Sequence, residues 1–191
     1  MTMDFALDLE TLGLKQNSVI VNVGITYFDP AKVDSFDTLL KRSKIFTLDR
    51  SVQKLLGRIE YAATLEWWKK QGEEAKRQLD VAGNPPDVVA RYLKDYLRSY
   101  GDKRSRIYCR GTHFDIALLE SLFLQFNVDH PWHYRKPRCS RTVLDEWGIT
   151  DDMLVERPEN MVAHNSAADA AFEAYMLQRV RNGVELPIRT K

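Results

Sequence analysis

Strand-like patterns fill the first fifty residues and helical periodicity takes over only afterwards; that order narrows the fold more than any other feature. Residues 3–9 and 18–28 are rich in β-branched and aromatic types, which suit a pleated, half-buried surface. Residues 13–17 supply a turn between them, and Asp29-Pro30 closes the second run. A shorter run over 43–48 completes a set that reads as an antiparallel meander. Val88, Val89, Tyr92, Leu93, Tyr96, Leu97 and Tyr100 then recur in steps of three and four behind Pro85-Pro86, which predicts a helix. Residues 106–109 read as a short strand, 114–126 as a buried helix, and 166–181 as a last helix stopped by Asn182-Gly183. Strands first, then alternating helix and strand, predict a single α/β domain over 1–191. Its central sheet is expected to be mixed, three antiparallel strands followed by parallel ones, with helices flanking it.

A hydrophobic fraction of 44% and a charged fraction of 29% exclude disordered and low-complexity classes. No apolar run approaches the ~18–20 residues of a membrane span, and the N-terminus has neither the basic start nor the apolar centre of a secretion signal. Two cysteines, Cys109 and Cys139, are too few for a disulfide framework, so a reducing, cytoplasmic setting is expected. The net charge of +1 argues against a surface coated in positive charge. Cations are nevertheless concentrated. Lys103, Arg104, Arg106 and Arg110 fall in an acid-free stretch over 103–110. Arg135, Lys136, Arg138 and Arg141 fall in another over 130–142, interleaved with His130, Trp132, His133 and Tyr134. The second mixture suits a single nucleic-acid strand, with cations following phosphates and rings stacking on bases. The first reads at least as well as a solvated loop.

Asp8 and Glu10 stand two apart at the end of the first run, so period-two geometry puts both on one face of the sheet. A strand end emerging into solvent would also accommodate them. Asp115, in Arg110-Gly-Thr-His-Phe-Asp115, lies where a strand gives way to a helix, the end at which open α/β sheets place ligands. It equally suits an acid stabilised by a helix N-terminus. His164 and Asp169 are five apart in His164-Asn-Ser-Ala-Ala-Asp169. If the helix begins at Ser166, His164 belongs to the preceding loop and can fold back beside Asp169, although Ser166 and Asp169 also have the spacing of a capping box. The joint pattern outweighs these separate alternatives. Four acids and one histidine at strand ends and helix starts form the oxygen-rich donor set that hard divalent cations need. Two such ions at about 3.5–4 Å can hold both the attacking and the leaving oxygen of a phosphodiester. A histidine titrating near neutrality can then take the proton of the attacking water.

At these residues the sequence resembles the DEDDh (DnaQ-like) superfamily of 3′→5′ exonucleases. Asp8-Leu-Glu10-Thr11-Leu12-Gly13 resembles its first motif, Phe114-Asp115 its second, and His164 through Asp169 its third. The histidine five residues before the last acid marks the DEDDh branch. Thr64-Leu-Glu-Trp67-Trp68-Lys-Lys-Gln71 and Arg138-Cys-Ser-Arg141-Thr142 resemble the subgroup of phage DexA-type exodeoxyribonucleases and mycobacterial-type exoribonucleases. Gly111, Cys139 and Ser166 depart from the residues usual at those positions.

The resemblance implies a ribonuclease H-like fold and two Mg²⁺ or Mn²⁺ ions. Asp8, Glu10, Asp115 and Asp169 would be the ligands and His164 the general base. Substrate contacts are expected from Thr11, Leu12, Gly13 and Phe114, with Leu12 wedged against the terminal base, and from Arg138 and Arg141. Trp67 and Trp68 lie about 100° apart on a helix, so one belongs in the core and the other is freer; Trp68 is assigned the base contact. The expected activity is hydrolysis from a single-stranded 3′ end to nucleoside 5′-monophosphates. DNA is the first choice and RNA the close alternative; a catalytically silent nucleic-acid-binding module is the different-class reading. No membrane partner is expected, a homodimer is allowed, and the setting is a bacterial or phage-infected cytoplasm.

Overall fold

The computed structural model describes residues 2–150, 153, 155–159 and 161–188; the rest of the expected 1–191 domain lies outside the described residues. Five strands form one sheet in the order β3-β2-β1-β4-β5. Strand β1 (Asp4–Thr11) pairs antiparallel with β2 (Ile20–Phe28), and β2 pairs antiparallel with β3 (Lys44–Thr47). On its other side β1 pairs in parallel with β4 (Ile107–Cys109), which pairs in parallel with β5 (Pro137–Cys139). The mixed sheet is therefore the expected one. The meander is interrupted, because helix α1 (Phe36–Arg42) stands between β2 and β3.

Strand periodicity sorts β1 between two cores. Phe5, Leu7 and Leu9 face α5 (Pro86–Tyr100) and α6 (Asp115–Gln125). Ala6 lies in the opposite core, against α8 (Ser166–Arg181). Asp8 and Glu10 share the parity of Ala6, so β1 delivers them to the α8 side at its C-terminal end. Helix α8 is buried along most of its length, and Ala167, Ala168, Ala170, Ala171 and Ala174 let its backbone lie close to the sheet. Gly24, paired with Asp8 across β1 and β2, makes the closest approach possible. A Cβ there would run into the backbone of Ser166.

Between β3 and α5 the chain forms α2 (Arg50–Leu55), α3 (Ala62–Lys69), α4 (Glu73–Lys76) and a 3₁₀ turn over Arg77–Asp80. These short pieces build a third small core from Leu12, Val19, Val21, Trp68 and Ala75. Helix α7 (Ser140–Glu146) follows β5 directly. Among the described residues no helix is long and apolar enough to cross a membrane.

Candidate active site

Three elements bring carboxylates to one cleft. Asp8 and Glu10 come from β1 and Asp169 from the first turn of α8, and their carboxylate oxygens can all lie within 4.8 Å of one another. The three acids share a cleft of about 430 Å³ with His164, Arg110, Arg157 and Glu173. Asp115 stands just outside the tight trio, at the start of α6, yet near enough for its charge to act on Asp8 and Glu10.

Burial is the largest influence on every one of these acids. It drives Asp8 well above the usual carboxylate range, assisted by the like charges of Asp169 and Asp115. Burial and the same two neighbours push Glu10 up to about 9. Asp115 rises to about 7 through burial, although its own backbone N–H and the Cys109 thiol pull it down, and Asp169 rises to about 6. Carboxylates so placed favour either a proton or a cation among them.

His164 precedes α8 and adopts the left-handed conformation at φ 58°, a backbone state that costs a non-glycine residue energy unless its surroundings enforce it. They do so here. Gln78 donates from Nε2 to the His164 carbonyl, while its Oε1 accepts from Asn22 Nδ2 at 3.0 Å. Asn22 Oδ1 in turn accepts from the Ser166 hydroxyl at 2.6 Å. The Trp67 ring meets the imidazole edge to face, with centroids 4.8 Å apart. Burial, and secondarily the charge of Arg157, hold the imidazole below its ordinary pKa. The helix cap falls on Asn165, whose side chain accepts from the Ala168 N–H at 3.1 Å, so the Ser166/Asp169 capping box is not formed and Asp169 faces the cleft.

Several expected substrate contacts are placed elsewhere. Trp68 is only 1% exposed and donates from Nε1 to the Thr11 carbonyl at 3.0 Å, so it is the core member of its pair. Trp67, at 41% exposure, is the open one. Leu12 is fully buried beside Trp68, which removes it as a wedge against a base. Gly13 is closed over by Tyr61 and Ser18, and the Thr11 hydroxyl donates to the Gly13 carbonyl at 2.8 Å. Phe114 is half-buried at the mouth of α6. Arg138 is exposed with its guanidinium turned to the carbonyls of Arg135 and Pro137, while the charge of Arg141 bears on Glu173.

Glu173 is one cleft residue that the sequence reasoning missed, Arg157 being another. Glu173 lies one turn beyond Asp169, is 6% exposed, and meets Arg110 at 3.5 Å. Its i+4 spacing from Asp169 was the available signal, since those positions share a helix face.

Comparison with known proteins agrees with this geometry. Residues 3–180 match the family described as the 3′-5′ exoribonuclease Rv2179c-like domain. The chain is 31% identical to an exodeoxyribonuclease of Enterobacteria phage T4 over 92% of its own length and 87% of the phage protein. Among solved structures it resembles cell-death related nuclease 4 (CRN-4) with a TM-score of 0.65 at 16% identity, over 98% of this chain and 66% of that one. It also resembles E. coli exonuclease I in complex with a dT13 oligonucleotide, with a TM-score of 0.63 at 9% identity, over 96% of this chain and 42% of that one. The chain thus spans less than half of exonuclease I, and both structural likenesses speak to the fold. The match over nearly the whole chain and the phage relative together establish that this protein belongs to the Rv2179c-like family of 3′-5′ exonucleases.

Proposed function

We propose that this exonuclease is metal-dependent and releases nucleoside 5′-monophosphates from the 3′ end of single-stranded DNA, with RNA as the alternative polymer. The observation that carries the reading is the trio Asp8, Glu10 and Asp169, with carboxylate oxygens within 4.8 Å, sharing one cleft with His164. The donor set fits hard divalent cations, because it is all oxygen and its like charges stand against one another in a buried setting. Asp8, Glu10 and Asp169 would hold Mg²⁺ or Mn²⁺, with Asp115 on the second ion. Such ions, when bound, activate water and stabilise the leaving oxygen.

The remaining roles belong to the chain itself. His164, neutral at pH 7 because its pKa is lowered, takes the proton as the water oxygen forms its bond to phosphorus. The P–O3′ bond breaks with its electron pair on the 3′-oxygen, which takes a proton from solvent water while the imidazolium returns its own to solvent, and the terminal nucleotide leaves as its 5′-monophosphate. The clamp formed by Gln78, Asn22 and Trp67 spares the imidazole a search for its working position. The exposed Trp67 and the half-buried Phe114 offer ring faces for the terminal base. The phage exodeoxyribonuclease relative favours DNA, whereas the family description favours RNA.

The test is degradation of 5′-labelled DNA and RNA strands of identical sequence with Mg²⁺ or Mn²⁺. A ladder shortening from the 3′ end, abolished by EDTA and by Asp8→Ala, is expected. His164→Ala should cripple turnover while leaving strand binding intact; normal cleavage by that variant would remove the general-base assignment. Absence of cleavage of both polymers would sink the reading.

A further inference from the structure

The two cation-rich segments of the sequence do not form one track into the catalytic cleft. Strands β1, β4 and β5 run in parallel, so the loops that precede β4 and β5 gather at the end of the sheet opposite Asp8 and Glu10. There they surround a cavity of about 600 Å³. Its floor is hydrocarbon, formed by Phe5, Leu97, Ile107 and Trp132, and these four belong to the core on the α5–α6 side of the sheet. The catalytic acids lie on the α8 side. Cavity and cleft therefore differ in both the end and the face of the sheet they occupy.

The rim is strongly basic. Arg98, Lys103, Arg135 and Lys136 stand around the opening, and none of the four makes an ion pair among the described residues. Arg135 instead lies over the Tyr134 ring and donates to its hydroxyl at 2.8 Å. The one acid on the rim, Asp102, is paired with Arg104 at 3.1 Å and accepts from the Thr2 hydroxyl. Such a volume is within the usual range of ligand pockets. Apart from the rim cations, polar partners for a nucleobase edge are few in the lining, namely Ser105, His133 and the already paired Asp102. Most of its ring nitrogens and exocyclic groups would go unsatisfied on the hydrocarbon floor, which is costly. An apolar side chain flanked by carboxylates satisfies both parts of the site.

We propose that this cavity is a docking site for an acidic peptide segment of a partner protein, with an aliphatic or aromatic side chain seated on Phe5, Leu97, Ile107 and Trp132 and its carboxylates on the four cations. Charge complementarity selects the partner and the apolar anchor supplies the buried contact. Placed behind the catalytic cleft, the site allows the partner and a substrate strand to be held together.

The test is fluorescence anisotropy at low salt with a labelled nonapeptide carrying a central Leu-Phe pair between acidic residues. Saturable binding is expected. Replacing the peptide's acids by their amides, or Leu-Phe by Ala-Ala, should each weaken it by about tenfold or more, as should Arg98→Glu combined with Lys103→Glu in the protein. The peptide substitutions test the proposal on the unaltered chain even if the double variant fails to fold. Absence of saturable binding, or equal affinity of the amide or Ala-Ala peptides, overturns it. So does a folded double variant that binds the peptide as the parent does. Loss of dT9 binding in EDTA by the same variant, without any peptide binding, would assign the surface to a nucleic-acid strand instead.

Discussion

Asp115→Asn in the metal-free protein tests most directly whether the acids are held in an environment that calls for a cation. Burial raises Asp115 from the ordinary 3.8 to about 7, so the folded state holds its proton more tightly than the unfolded chain does. Below pH 4 both states carry the proton and the carboxyl costs nothing. As pH rises from about 4 to 7 the unfolded chain releases its proton while the folded protein retains it, and stability falls. Above pH 7 the loss levels off. The gap of roughly three pH units, at 1.36 kcal/mol per unit, corresponds to about 4 kcal/mol. Water entering the open cleft reduces this to about 2–4 kcal/mol. Asparagine resembles the protonated acid at every pH. Asp115→Asn should therefore match the parent near pH 4 and exceed it by about 2–4 kcal/mol at pH 8, measured by urea unfolding in EDTA. Saturating Mg²⁺ should remove the advantage, because the parent then gains binding energy that the variant lacks. A stability difference that stays flat between pH 4 and pH 8 would refute the reasoning.

Further outcomes follow from the same geometry. Trp67→Ala removes an edge-to-face contact of about 0.5–1.5 kcal/mol from His164 together with a ring face offered to the terminal base, so kcat should fall roughly two- to tenfold and KM should rise. Trp68→Ala should instead cost about 3–5 kcal/mol of stability in thermal or urea unfolding, and the opposite assignment of effects would reverse the roles given to the two rings. Gly24→Ala forces a Cβ against the Ser166 backbone, so about 1–3 kcal/mol of stability should be lost. Mn²⁺ affinity by calorimetry should weaken with it, since α8 carries Asp169. Arg58→Met should cost about 3 kcal/mol or more in urea unfolding. The buried guanidinium donates to the carbonyls of Gln16 and Ser18 and to Ser121 and Gln125, which lose those partners together.

Legibility in the sequence followed the range of the interactions concerned. Asp8 and Glu10 were readable as a pair because strand alternation is local, and the structure sends both to one side of β1. His164 was readable as a loop residue because the start of α8 is marked by the polar run before its alanines. The short helices between β3 and α5 left little periodic trace, since pieces of four to eight residues are held by tertiary contacts rather than by their own pattern. Strand β5 was hidden inside a cation-rich stretch because Pro137-Arg138-Cys139 has no β-branched or aromatic residue, whereas the equally short β4 shows Ile107 and Tyr108.

Chain order and side-chain period by themselves determined the mixed sheet and marked Asp8, Glu10, Asp115, Asp169 and His164 as candidates. Only the tertiary structure decided which tryptophan is buried, that Leu12 is a core residue, and that Glu173 closes the cleft beside Arg110. It also divided the basic segments between the two ends of the sheet. Each of these outcomes depends on contact between elements distant in sequence, or on the direction in which neighbouring strands run. Local periodicity specifies which face a side chain takes on its own element. The partner that face meets, and the end of the sheet to which a loop returns, are set when the sheet assembles.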